Sequence, residues 1–169
     1  MYRRIFIILF GLILLCSLIN TNLPQKKFLE KLSKNLDEEI VKVSPGENVS
    51  VLIPIGKLLK IKVRINATTG FFTFLNNFEE ISKNEKGIEF YDIKFDKRYG
   101  LYKSNEYEMI DKKLDGTGGY CVFKIKALKA LDKIDFKFLT IKPWEIKKKD
   151  AESFNSIVTV STKGLSYLE

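Results

Sequence analysis

The run Leu59-Lys60-Ile61-Lys62-Val63-Arg64-Ile65 puts every apolar side chain on one face of an extended chain and every charge on the other. A period of two rules out a helix there and is what a half-buried strand of an antiparallel sheet requires. Weaker versions of the pattern recur at residues 40–43, 49–53, 71–75, 88–95, 120–127, 134–140 and 156–162. Turn dipeptides such as Pro45-Gly46 separate them, and no helical segment alternates with them. Many short strands without crossover helices predict an all-β fold, two antiparallel sheets stacked as a sandwich. With 169 residues the chain can bury a core of ordinary size. Residues 96–115 carry Tyr99, Tyr102 and Tyr107 among polar residues and read as a long connection.

The N-terminus reads as an address. Met1-Tyr2-Arg3-Arg4 precedes an apolar run over residues 5–19, a length that suits a secretory signal better than a membrane-spanning helix of about twenty residues. Residues 1–22 are therefore expected to be a signal peptide or an uncleaved signal anchor. Either form sends the domain into the secretory pathway, secreted or lumenal, with no other membrane contact. Residues 23–38 form an N-terminal extension, in which Phe28, Leu29, Leu32 and Leu36 have the spacing of a short amphipathic helix. The sandwich domain is expected over 39–163, followed by a tail at 164–169.

Composition removes several chemistries. The chain has no histidine, which excludes Ser-His and Cys-His catalytic pairs and histidine-ligated metals. Its two cysteines are Cys16, inside the apolar leader, and Cys121, which alternates with Phe123 and Ile125 as a small buried hydrophobe would. Neither a disulfide nor a cysteine metal site is expected in the domain, and no cofactor is implied. The net charge of +8 would suit an acidic partner, but no nucleic-acid signature accompanies it. The densest run, Lys147-Lys148-Lys149, is broken at once by Asp150 and Glu152 and reads as a solvated loop. Nucleic acid is not an expected partner.

Three loops interrupt the strands with unusual residues. They are Asn66-Ala67-Thr68-Thr69-Gly70-Phe71, Gly116-Thr117-Gly118-Gly119 and Lys142-Pro143-Trp144, the last holding the only tryptophan. Singly, each has a structural explanation: Asn and Gly reach positive φ at strand corners, and a lone Trp commonly packs in a core. The glycine-rich loop lacks the Lys-Ser/Thr pair and the following helix of a phosphate loop.

In this order and at these junctions, the three loops resemble the chagasin family of cysteine-peptidase inhibitors. That family carries an Asn-Pro-Thr-Thr-Gly-aromatic loop, a Gly-x-Gly-Gly loop and an Arg-Pro-Trp loop. The resemblance covers roughly residues 39–163, with an insertion ahead of the second loop. It implies an immunoglobulin-like sandwich with all three loops at one end, a monomer that inhibits papain-like, cathepsin-like cysteine peptidases reversibly and without covalent chemistry. By the same resemblance Thr68 and Thr69 approach the catalytic residues, Gly116 to Gly119 lie over the cleft, and Trp144 anchors beside it. Two positions depart from the family pattern. Ala67 stands where the family has proline, freeing the unbound loop, and Lys142 replaces an arginine, keeping the charge but losing the planar fork.

The Ala67 change also creates an N-glycosylation sequon, Asn66-Ala67-Thr68, beside a second at Asn48-Val49-Ser50. A glycan on Asn66 would bar the loop from a cleft, so Asn66 is expected to stay unmodified. Two other readings compete. A secreted immunoglobulin-like module could bind another protein or a glycan through the same loops. An enzyme would have to rely on paired carboxylates, yet the neighbours Glu79-Glu80 and Asp37-Glu38-Glu39 point apart on a strand or loop, so the chain is not expected to be an enzyme. A Trp144 buried in the core would defeat the inhibitor reading.

Overall fold

The computed structural model describes residues 38–110 and 118–163. The expected signal segment, the N-terminal extension up to residue 37, Cys16, Gly116, Thr117 and the C-terminal tail lie outside the described residues. Among the described residues no helix is long and apolar enough to cross a membrane.

Two sheets face each other across one core. The first contains β1 (Glu38–Val43), β3 (Leu58–Ile65), β9 (Gly119–Ala127) and β5 (Ile88–Tyr91), in that order, with β8 (Glu106–Met109) also on β9. The second runs β2 (Asn48–Pro54), β11 (Ser153–Lys163), β10 (Ile134–Ile141), β4 (Phe72–Leu75), β7 (Leu101–Ser104) and β6 (Ile93–Asp96). The alternation in β3 does what the pattern predicts. Leu59, Ile61, Val63 and Ile65 are buried, while Lys60 and Lys62 cover the outer face. Phe123 of β9 and Phe138 of β10 meet with ring centroids 4.8 Å apart and tie the two sheets together. Each is fully buried, which stabilises the fold by about 1.5–3 kcal/mol per side chain. Cys121 joins the same core, and burial pushes its thiol pKa up, as an inert structural cysteine requires.

The sheets are mixed rather than purely antiparallel. β1 lies parallel to β3, and β2 lies parallel to β11. The cause is the Ser44–Glu47 turn, closed by Glu47 N–H donating to the Ser44 carbonyl at 3.1 Å. It does not fold β2 back onto β1 but hands the chain to the opposite sheet, so each strand becomes an edge beside a neighbour of its own direction.

The expected strand over 88–95 is two strands in different sheets. They part at Asp92, whose φ of 57° reverses the chain, a conformation that Asp tolerates better than most residues. The expected connection over 96–115 is likewise partly strand. β6 and β7 form a hairpin that extends the second sheet beside β4, after which Asn105 returns the chain to the first sheet. Asn105 N–H donates to the Asp92 carbonyl at 3.2 Å and closes this excursion. β5 and β8 are thus two halves of one strand along β9, with the hairpin inserted between them.

A short helix, α1 (Phe78–Asn84), was not anticipated. Its signal is Phe78 and Ile81, three apart. Ile81 enters the core, and Phe78 stacks on Tyr102 of β7 at 4.2 Å. The hairpin turn is tied by Asp96, whose carboxylate accepts from the Arg98 backbone N–H at 3.1 Å and from Lys103 Nζ at 2.8 Å. Arg98 Nη2 adds a third contact at 2.9 Å.

Candidate functional site

Strand directions decide which loops share an end. β3 and β10 finish, and β4, β9 and β11 begin, at the same end of the sandwich. The three loops singled out in the sequence therefore emerge together, with the Ser44–Glu47 turn beside them.

The first loop is built by its own polar groups. Residues Ala67–Thr69 make one turn of 3-10 helix. Asn66 opens the turn: its Oδ1 accepts from Thr68 N–H at 3.2 Å and from Thr68 Oγ1 at 2.6 Å. Its carbonyl accepts from Thr69 N–H at 3.1 Å and from Thr69 Oγ1 at 2.7 Å. Asn is suited to this, because its short side chain reaches the backbone two residues on. Thr68 and Thr69 are exposed. Four hydrogen bonds thus hold the turn without the ring that a proline at position 67 would supply.

Gly70 then turns the chain with φ 82°. The second reason for glycine is space: a β-carbon there would lie 2.3 Å from Cη2 of Trp144. The third loop comes up from β10, where Pro143, buried, opens a 3-10 turn over Pro143–Glu145. Pro at the first position costs no donor and presets φ. Trp144, next in line, is 61% exposed yet lies against Gly70. Lys142 Nζ sits 5.0 Å above the Phe71 ring and 4.0 Å from Glu152, and Phe71 in turn lies 5.9 Å from Phe154. The first and third loops are one packed unit.

The second loop meets the first from the other side. Gly118 has φ 76°, and a β-carbon on it would approach the Ile65 carbonyl oxygen to 2.8 Å. Gly119 opens β9 opposite Ile65, where a β-carbon would collide with the Tyr107 hydroxyl at 2.3 Å. Gly116 and Thr117 lie outside the described residues. Of the thirteen residues nominated in the three loops, the structure brings together the eleven that it describes, at one end and around an exposed tryptophan.

Sequence reasoning missed several neighbours of this cluster. Phe72, Met109 and Ile110 are large apolar side chains left exposed at the same end. Met109 and Ile110 fall in a stretch read as connection, so no periodicity marked them. The Ser44–Glu47 turn was read only as a turn; with Arg64, Phe71 and Phe154 it borders a recess of about 490 Å³ beside the first loop. Among the described residues no cluster of His, Cys, Asp or Glu could hold a metal. Both sequon asparagines are exposed, and Asn48 Oδ1 accepts from Ile157 N–H at 3.1 Å.

No protein-family model matches the chain, and no curated protein matches it. Solved structures do. The cysteine protease inhibitor EhICP2 from Entamoeba histolytica is 18% identical, aligns over 73% of this chain and 96% of its own, and gives a TM-score of 0.36. PbICP-C, in a complex with falcipain-2, is 14% identical over 74% of this chain and 99% of its own, with a TM-score of 0.41. The Leishmania mexicana ICP is 18% identical over 69% and 90%, with a TM-score of 0.38. These neighbours are chagasin-family cysteine protease inhibitors. At such identities no residue role carries over from them, and the chemistry of the loop end has to follow from its own geometry.

Proposed function

We propose that this protein is a reversible, non-covalent inhibitor of papain-like cysteine peptidases that fills the active-site cleft with the three loops. The observation that carries the reading is the placement of Trp144, exposed at the loop end and seated on Gly70, not buried in the core. A large rigid side chain held out in this way is the kind of anchor that dominates protein interfaces.

The rest of the end suits a cleft. Gly118, half-buried beside the first loop, presents backbone without a side chain, so a partner can approach closely there. Thr68 and Thr69 project on a turn already ordered by Asn66, which lowers the entropy lost on binding. The loops' threonine hydroxyls, those of Thr68 and Thr69 among them, are weak nucleophiles, and the chain has no histidine to activate them. Inhibition is therefore occupancy: the loops exclude substrate and offer no placed scissile bond. The apolar leader accords with a protein that acts in the secretory pathway, and on this reading it acts as a monomer with Asn66 free of glycan.

Titration of the purified protein against papain and a cathepsin-like peptidase, read with a fluorogenic substrate, tests this. Stoichiometric, reversible loss of activity that weakens in Trp144→Ala is the expected result. Full peptidase activity at micromolar concentrations of folded protein would instead leave a sandwich that binds some other protein or glycan through the same loops.

A further inference from the structure

The outer face of the first sheet carries matched charges and, beside them, three cations, Lys42, Arg64 and Lys126, that have no ion pair among the described residues. Lys60 pairs with Glu38 at 2.7 Å, Lys62 with Glu108 at 2.5 Å, and Lys124 with Glu106. Arg64 is the next outward residue of β3 after Lys62, nearest the loop end, and it is exposed. Among the described residues no carboxylate pairs with it. β1 has already ended at Val43, and the cross-strand neighbour of Arg64 on β9 is Tyr120. The nearest glutamates on this face, Glu38, Glu106 and Glu108, are already paired with the lysines below.

Arg64 also lines the recess of about 490 Å³ that opens beside the first loop. Ser44, Pro45, Phe71, Thr140 and Phe154 contribute to its walls. Lys142 lies over the Phe71 ring, which brings a second cation close to the same wall. The recess therefore combines apolar surface, fit for a methylene stem, with a guanidinium whose planar fork matches a carboxylate.

We propose that this recess is a fourth contact point, which takes an acidic side chain of the peptidase against Arg64 and thereby selects among peptidases. The proposal rests on the inhibitor reading, and it adds Arg64 of β3 and the Ser44–Glu47 turn to the contacts made by the three loops. A carboxylate entering here would give Arg64 the ion pair that it lacks among the described residues. Because the pair forms at the margin of the interface, it acts on capture rate and on choice of target more than on the anchoring by Trp144.

The test uses the peptidase that the protein inhibits most tightly, with inhibition constants and association rates measured at low and high salt. Arg64→Gln and Arg64→Glu are expected to raise the inhibition constant about tenfold or more, and Arg64→Lys to keep most of the wild-type effect. Arg64→Gln should also flatten the salt dependence of association, whereas Trp144→Ala should weaken inhibition and leave that dependence in place. Thermal melts identify any variant that fails to fold. If Arg64→Glu inhibits like wild type while Trp144→Ala is weak, the fourth contact is wrong and the inhibitor reading stands. If the wild-type protein inhibits nothing, the inhibitor reading fails, and the acidic contact with it.

Discussion

Gly70 and Trp144 belong to different loops, yet they meet so closely that a β-carbon on Gly70 would fall 2.3 Å from the Cη2 atom of the indole. Gly70→Ala is therefore expected to do two things. It strains a backbone at φ 82°, and it pushes the tryptophan off its seat. A stability loss of about 1 kcal/mol or more should accompany weaker inhibition and a changed Trp fluorescence spectrum. An unchanged spectrum with unchanged inhibition would mean that the two loops are not mechanically joined.

The first loop is ordered by Asn66 where a proline ring could have done part of the work. Ala67→Pro suits the first position of the 3-10 turn, and it should tighten inhibition about two- to fivefold by restricting the free loop. Asn66→Ala removes the acceptor for both Thr68 contacts and should weaken inhibition with little change in melting temperature. Equal inhibition by both variants would show that loop order does not limit binding.

Acid should loosen the hairpin end of the domain. Contacts with Arg98 and Lys103 hold the Asp96 carboxyl well below the usual carboxylate range. The unfolded chain takes up this proton near pH 3.9, earlier than the folded one, so the contribution is present above that pH and is lost as the pH falls towards the folded value. Asp96→Asn should give a flatter stability profile between pH 5 and pH 2, as read by urea unfolding. A slope equal to that of wild type would place the acid sensitivity elsewhere.

Intact-mass analysis of protein from its native source bears on the sequons. Asn66 is expected to be unmodified in any preparation that inhibits, because its side chain orders the turn proposed to enter the cleft. Active protein carrying a glycan on Asn66 would show that the first loop does not insert as proposed.

How much of this could be read in advance varies by strand. β3 and most of β9 were plain because one face is core and the other reaches solvent, so burial itself writes the alternation; Val122, buried on the outer face of β9, is the exception. The break at Asp92 left only a small trace. Apolar positions are even before it, at Ile88 and Phe90, and odd after it, at Ile93 and Phe95, so the rhythm changes phase without stopping. β8 was hidden for the opposite reason. Tyr107 and Met109 lie on the strand face that bears buried Cys121, but they remain exposed, so their spacing carried no burial signal. The parallel edges β1 and β2 were unreadable because direction depends on where the Ser44–Glu47 turn sends the chain. The loops are the converse case. Gly70, Gly118 and Trp144 stood out as residue types, but only the folded chain shows that each glycine is there to admit a neighbour.

The excursion through β6 and β7 leaves β9 flanked along its whole length, and its Lys97–Gly100 turn points away from the loop end. Lengthening that turn moves neither terminus of β9. The domain therefore has a handle: a dye, a tether or an added segment grafted between Lys97 and Gly100 would ride at the far pole, and the binding end would be free to change its target without renegotiating the rest of the molecule.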